Sequence, residues 1–184
     1  MSYAYFELQT KFVMQHFNSK LSGNKETQRR PDVLKVARII KNVKRIISDK
    51  NSLSHEQARN LLRQWDELID KETIKTKNVG EEIETLLQND HDIVITDIKN
   101  KPERFDVYWN DQLVWKIIRM MLLIDKTALL VGISYKTAYF SRDELERFQK
   151  KLAAPLRRTL GEIVFSSKEL FQIKEQKSLK EVVA

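Results

Sequence analysis

The segment 104–109, Arg-Phe-Asp-Val-Tyr-Trp, alternates polar and apolar side chains. This alternation predicts a β-strand whose polar face carries Arg104, Asp106 and Tyr108, because successive side chains of a strand point to opposite faces. An arginine can donate two hydrogen bonds to O6 and N7 of guanine, and an aspartate can accept one from N4 of cytosine. A tyrosine can reach a base edge or a phosphate. We therefore predict that these three residues contact base edges of double-stranded DNA.

Four further side chains are predicted to contact the DNA backbone: Lys99, Lys101, Ser141 and Arg142. Backbone N–H groups at a helix N-terminus bind anions, and the sequence from Ser141 to Glu144 matches a capping box that starts a helix. The acidic residues after Arg142 compete with a phosphate at that position. In the alternative interpretation, the alternating strand is only the solvent-exposed face of an ordinary sheet.

The elements that must position these residues follow in the order strand, helix, helix. Strand 104–109 is succeeded by a helix that begins at Asn110 or Asp111, and a capped helix begins after Ser141. This is the order of a ribbon–helix–helix element, in which strands from two protomers pair and enter the major groove. A lone strand has an unpaired edge, so we expect a homodimer. The rival ribbon strands are Ile93–Lys99 and Tyr3–Leu8.

A second basic feature lies in the N-terminal half. The whole chain has 33 Lys and Arg against 26 Asp and Glu, and segment 29–50 holds eight basic and two acidic residues. Apolar residues from Val33 to Ile47 recur at helical spacing and predict an amphipathic helix over 33–48. Its opposite face is basic, and it either neutralises phosphates or is an ordinary solvated surface. The basic residues of that face are Lys35, Arg38, Lys41, Lys44 and Arg45, preceded by Arg29 and Arg30.

Helix 33–48 and a second helix that starts at Ser54 are predicted to form a hairpin. The polar stretch 73–80 is expected to end the second helix, and the run 91–99 is predicted to be a strand. Pro155 is expected to break or kink the last helix, because proline lacks the N–H that an internal helical position requires.

We divide the chain into three regions. Residues 1–90 hold an N-terminal strand and the helical hairpin, residues 91–170 form the DNA-binding and dimerisation region, and residues 171–184 are a tail. The expected fold class is α+β and mostly helical, with a ribbon–helix–helix-like element and an added N-terminal helical hairpin.

The sequence offers little for catalysis. His16, His55 and His91 are far apart, and the chain has no cysteine, which excludes disulfides and Cys-ligated zinc. The four glycines form none of the phosphate-binding or nucleophile motifs GxGxxG, GxxxxGK[ST] and GxSxG. We therefore expect no enzyme, no metal and no cofactor.

The most apolar stretch, 113–133, is predicted to be a core helix because it contains charged side chains, which are costly in a bilayer. These are Lys116, Arg119, Asp125 and Lys126. Residues 1–23 lack the basic and apolar pattern of a signal peptide. We expect a cytoplasmic protein with no membrane partner.

Three stretches resemble the AcaB-like regulators of conjugative plasmids and integrating conjugative elements. They are FELQTKF, DQLVWKIIRMMLLIDKTALLVG and SRDELERFQKKLAAPLRRTLG, and the resemblance spans roughly residues 5–165. It implies a bacterial protein with a ribbon–helix–helix element that binds DNA and activates conjugative-transfer genes. The family has no signature catalytic residues to carry over. The resemblance does not fix which strand is the ribbon.

Two other functions are considered. The main alternative is an accessory structural protein of the conjugation machinery, whose basic helix 33–48 docks a partner protein without sequence-specific DNA binding. The third option is a ligand-binding fold of the chorismate-lyase type, which EEIETLLQNDHDIVITDIK and TLGEIVFSS resemble.

Overall fold

The computed structural model describes residues 4–22, 25–28, 30–49, 54–88, 102–107 and 110–183. The predicted strand 91–99 and three predicted DNA contacts, Lys99, Lys101 and Tyr108, lie outside the described residues. The elements in chain order are β1 (Ala4–Leu8), α1 (Lys11–Phe17), a 3-10 turn (Ser19–Leu21), α2 (Lys25–Gln28), α3 (Val33–Ser48), α4 (His55–Gln88), β2 (Glu103–Val107), α5 (Gln112–Lys136) and α6 (Arg142–Val183).

Helix α3 has the predicted bounds, and its start is fixed by a buried N-cap. Asp32 accepts a hydrogen bond from the backbone N–H of Lys35 at 2.8 Å. Its other carboxylate oxygen accepts hydrogen bonds from the backbone N–H of Ser19 at 2.9 Å and from the Ser19 hydroxyl at 2.8 Å. The cap therefore starts the helix and also ties it to the preceding 3-10 turn.

Helix α4 is longer than predicted, because the polar stretch 73–80 continues the helix as far as Gln88. A polar residue of this stretch can be buried in the helical packing, because Thr76 is only 2% exposed. At Gly80, an added Cβ would come within 3.1 Å of the Thr127 hydroxyl oxygen. Glycine thus permits α4 and α5 to approach closely, and the expected helix end does not occur.

Helix α6 continues across Pro155 without a break. A proline inside a helix costs about 3 kcal/mol, and the surrounding packing offsets this cost. Leu152, Leu156 and Leu160 are at most 1% exposed in the core that α6 shares with the other long helices. The segment TLGEIVFSS, which resembles a ligand-binding fold, lies within this helix.

The two described strands form one antiparallel sheet, in which Ala4 is opposite Val107 and Leu8 is opposite Glu103. The predicted orientation of β2 is confirmed for its described residues, because Arg104 and Asp106 are exposed and Val107 is 4% exposed. Phe105 packs on the ring of Phe6, with 5.6 Å between ring centroids. The inner face of this sheet is therefore part of the apolar core.

The predicted fold class is wrong in its central element. The described chain is mostly helical with a two-stranded sheet, and no ribbon–helix–helix element is present in the described residues. The physical reason is that the partner of β2 is β1 of the same chain, so β2 pairs without a strand from a second protomer. The division into regions 1–90, 91–170 and 171–184 stays a prediction.

Candidate nucleic-acid interface

The exposed face of the two-stranded sheet carries two of the predicted base-contacting residues. Arg104 lies with its guanidinium carbon 3.9 Å from the centre of the Tyr5 ring. Its Nε is 3.2 Å from Oδ1 of Asp106, which lies two residues along the same strand. Both side chains remain about half exposed, at 57% and 46%. The arginine is thus oriented by its neighbours but is still accessible to a ligand.

The charge of this face is unfavourable for a polyanion. Glu7 lies directly opposite Arg104 in the sheet, and Asp106 lies two residues from Arg104 on the same face of β2. Two carboxylates therefore lie beside one guanidinium on this face, and all three residues are exposed. Because carboxylates repel phosphates, this surface opposes the approach of DNA more than it favours it.

The predicted phosphate contacts at α6 and the sheet meet α5 at different positions. Helix α5 has 25 residues, so its two ends are about 36 Å apart. The sheet leads into the start of α5 and contacts its middle, where Gln9 and Thr10 bond Asp125, whereas Ser141 follows its C-terminal end. Among the described residues, Arg104 contacts Tyr5 and Asp106, whereas Ser141 bonds Glu144.

The predicted capping box at Ser141 is confirmed. It uses the N–H and hydroxyl of Ser141, the residue that is predicted to contact a phosphate. The N–H and the hydroxyl of Ser141 each donate a hydrogen bond of 2.8 Å to Oε2 of Glu144. Both bonds lower the pKa of Glu144 below its ordinary value, and the bond from the backbone N–H has the larger effect. Arg142 is 3.4 Å from the carboxylate of Glu146. Ser141 and Arg142 therefore contact glutamates of α6, Glu144 and Glu146.

The basic face of α3 is a concentration of cations that have few ion-pair partners among the described residues. No acidic residue lies within Val33–Ser48. Four of the five cations on this face are exposed and form no ion pair in the described part of the chain, and the fifth, Lys44, is 2.6 Å from Asp111. The four are Lys35, Arg38, Lys41 and Arg45.

Ion pairs between elements involve several charges of the other long helices. Lys116 of α5 is bound by Asp66 and Asp70 of α4, at 2.6 and 2.8 Å. These two hydrogen bonds raise the pKa of Lys116. Arg158 of α6 is 3.0 Å from the buried carboxylate of Glu72. The exposed cations Lys35, Arg38, Lys41 and Arg45 have no such partner among the described residues.

The structure adds one arginine that sequence reasoning missed. Arg157 of α6 lies close enough to Arg30 that burial and then the charge of Arg30 lower its pKa. The same two arginines, after burial itself, help to lower the pKa of His16 to about 4. Arg30, which precedes α3, and Arg157 of α6 therefore lie near each other. No local sequence signal announces this, since Arg30 and Arg157 are far apart in the chain.

The described residues contain no group of three or more His, Asp or Glu side chains that is arranged to hold a metal ion. Within the same ranges, none of the helices combines the length and the apolar character that crossing a membrane requires.

A comparison with solved structures finds the crystal structure of selenomethionine-containing AcaB from uropathogenic E. coli. The match has a TM-score of 0.72 and 12% sequence identity, and it covers 100% of this chain and 87% of that chain. No protein-family model matches the chain, and a search of the curated proteins finds no relative. The resemblance inferred from the sequence is thus confirmed at the level of the fold, which is similar to that of AcaB.

Proposed function

We propose that this protein is a transcriptional regulator that binds double-stranded DNA through the basic face of α3. The observation that carries the proposal is the row of exposed, uncompensated cations on that helix, Lys35, Arg38, Lys41 and Arg45. The likeness of the fold to AcaB supports the regulatory part of the proposal.

The spacing of these cations suits a DNA backbone. Arg38 and Arg45 are two helical turns apart, so their Cα atoms are separated by about 10 Å along the helix. One DNA strand carries one phosphate per 3.4 Å or so of duplex axis. A helix laid along the backbone can therefore place several of its cations near successive phosphates, and such contacts give affinity without reading the sequence.

The finer parts of the proposal rest on the family resemblance. They are sequence-specific binding, activation of conjugative-transfer genes, a cytoplasmic location, action as a homodimer and the absence of catalysis. Base reading by Arg104, Asp106 and Tyr108 belongs to the same group and stays a prediction, as do the phosphate contacts of Lys99, Lys101, Ser141 and Arg142. The acidic surroundings of Arg104 favour α3 over the sheet as the surface that meets phosphates.

The test is a fluorescence-anisotropy titration of a labelled duplex over a range of salt concentrations. The double variant Arg38→Ala, Arg45→Ala removes two cations from α3. The logarithm of the affinity should then depend less steeply on the logarithm of the salt concentration, by about 1.8, because each phosphate contact contributes about 0.9 to the slope. Affinity should fall on every sequence.

The matched control is the double variant Arg59→Ala, Lys71→Ala. Both residues are exposed on α4 and form no ion pair in the described part of the chain, so the control removes the same charge from another surface. An equal loss in both double variants would contradict the proposal. Two results together would favour the accessory-protein alternative. They are the absence of salt-sensitive DNA binding and the capture of a conjugation component that requires the same α3 cations.

A further inference from the structure

A cleft of about 340 Å³ lies between the second half of α3 and the start of α5. This volume is at the lower end of the range typical of small-molecule sites. Two apolar side chains, Ala37 and Val114, line it together with polar ones. The polar lining consists of Lys41, Lys44, Arg45, Ser48, Asn110 and Asp111.

The cleft carries an excess of positive charge. Among the described residues that line the cleft, the one carboxylate is Asp111. It is engaged through both oxygens, since Oδ2 is 2.6 Å from Nζ of Lys44 and Oδ1 accepts the N–H of Leu113 at 2.9 Å. Lys41 and Arg45 form no ion pair with the described residues. With three cations and one carboxylate, two positive charges remain uncompensated.

We propose that this cleft binds a small phosphate monoester, such as a mononucleotide or a sugar phosphate. A phosphate monoester carries a charge of about −1.5 to −2 at pH 7, which matches the two uncompensated cations. Arg45 and Lys41 bind the phosphate, and the planar guanidinium can do so with two parallel hydrogen bonds. Ala37 and Val114 contact the organic part. This site shares Lys41 and Arg45 with the proposed DNA surface, but it does not require that DNA binding be correct.

Isothermal titration calorimetry with the full chain, in the absence of DNA, tests the proposal. The probes are adenosine 5′-monophosphate and glucose 6-phosphate, and the comparison compounds are adenosine and inorganic phosphate. At least one monoester should bind more tightly than inorganic phosphate, and adenosine should not bind. The affinity should fall below pH 6 or so, because a phosphate monoester takes up its second proton there.

Variants locate the site. Lys41→Ala and Arg45→Ala should each weaken monoester binding about tenfold, as expected for the loss of a charge-assisted hydrogen bond. Asp111→Asn keeps an oxygen for the Leu113 N–H and removes the carboxylate charge, so it should strengthen binding. Arg59→Ala on α4 is the control, and circular dichroism checks that each variant folds.

Several results would overturn the proposal: no binding of either monoester, equally tight binding of inorganic phosphate, or an equal effect of Arg59→Ala and Arg45→Ala. Because no DNA is present, loss of the proposed DNA binding in other experiments leaves this result unaffected.

Discussion

The hydroxyl of Thr10 donates a hydrogen bond of 2.6 Å to Oδ1 of Asp125, 115 residues away in the chain. The same carboxylate accepts the backbone N–H of Thr10 at 2.9 Å and that of Gln9 at 2.7 Å. Asp125 lies in the middle of α5 and is only 5% exposed. Three donors from the turn between β1 and α1 therefore converge on one buried carboxylate, and this contact fixes the N-terminal strand on the helical core.

Asp125→Ala should destabilise the protein by about 3 kcal/mol, because it removes a buried carboxylate and leaves two part-buried backbone N–H groups and one hydroxyl without their acceptor. Urea unfolding followed by circular dichroism measures this change. Thr10→Val removes only the hydroxyl and should cost about 1 kcal/mol. Asp143→Ala is a control, since that carboxylate is exposed in the first turn of α6. If Asp125→Ala costs no more than Asp143→Ala, the contact does not anchor the strand.

His16 makes the stability of the fold sensitive to mild acid. Its ring is 7% exposed, and burial, followed by the charges of Arg157 and Arg30, lowers its pKa from 6.5 to about 4. The unfolded chain therefore takes up a proton between pH 6.5 and 4 that the folded chain does not. The free energy of unfolding therefore has its full value above pH 6.5. It falls by about 3 kcal/mol in total as the pH is lowered through this range.

The free energy of unfolding, measured by urea titration at several pH values, tests this. His16→Gln should abolish the part of the pH dependence that falls between pH 6.5 and 4. His55→Gln, which changes a partly exposed histidine of α4, provides the comparison. A wild-type profile that His16→Gln leaves unchanged would show that the histidine is not held neutral.

Glu72 has the opposite acid–base behaviour. Burial, the largest influence, raises its pKa, but the hydrogen bonds from Lys75 and Arg158 together outweigh burial and hold the pKa below its ordinary value. The resulting stability is present above pH 4.3 or so, the ordinary pKa of glutamate, and is lost as the pH falls through the lower folded pKa.

Glu72→Gln should therefore reduce stability at pH 7 by about 2 kcal/mol, since it removes the charge from a buried, hydrogen-bonded pair. The difference between variant and wild type, from urea unfolding, should shrink below pH 4 or so. Glu82→Gln changes an exposed carboxylate that pairs with Lys151 between the same two helices. A difference for Glu72→Gln that is as small as that for Glu82→Gln would contradict this account.

Local patterns and distant contacts differed in how well the sequence predicted them. The bounds of α3 followed from its apolar spacing, and the outward position of Arg104 followed from strand alternation, because both depend on neighbouring residues. The partner of β2 did not follow, since β1 lies about 100 residues earlier and nothing in segment 104–109 specifies whether a strand pairs within the chain or between chains. Pairing in the same chain removed the basis for the ribbon–helix–helix prediction.

In the candidate site, too, local features were predicted from the sequence and contacts between distant residues were not. The cations of α3 were found from the sequence because they share one helical face. The approach of Arg157 to Arg30 and the cleft between α3 and α5 arise from helix packing, which brings together residues that the sequence separates. From the sequence, Asp125 is only a charged residue that opposes a membrane span. Its contact with the end of β1 arises from packing between residues that are distant in the chain.

The exposed face of the sheet offers a direct test of which surface meets DNA. Arg104 is engaged by Tyr5 and Asp106, and two exposed carboxylates, Glu7 and Asp106, share its face of the sheet. If DNA contacts α3, then Arg104→Ala and Asp106→Ala should each change the affinity for a promoter duplex and for a scrambled duplex by less than about twofold, since exposed charges far from the ligand are screened. Fluorescence anisotropy at moderate salt measures both.

The two variants distinguish the alternatives because they change the charge in opposite directions. If the sheet enters the major groove, Arg104→Ala should cost about 1–3 kcal/mol on the promoter and little on the scrambled duplex. Asp106→Ala should then strengthen binding to the scrambled duplex, because it removes a carboxylate that faces the phosphates. That pair of results would assign DNA recognition to the sheet and would reject α3 as the main DNA surface.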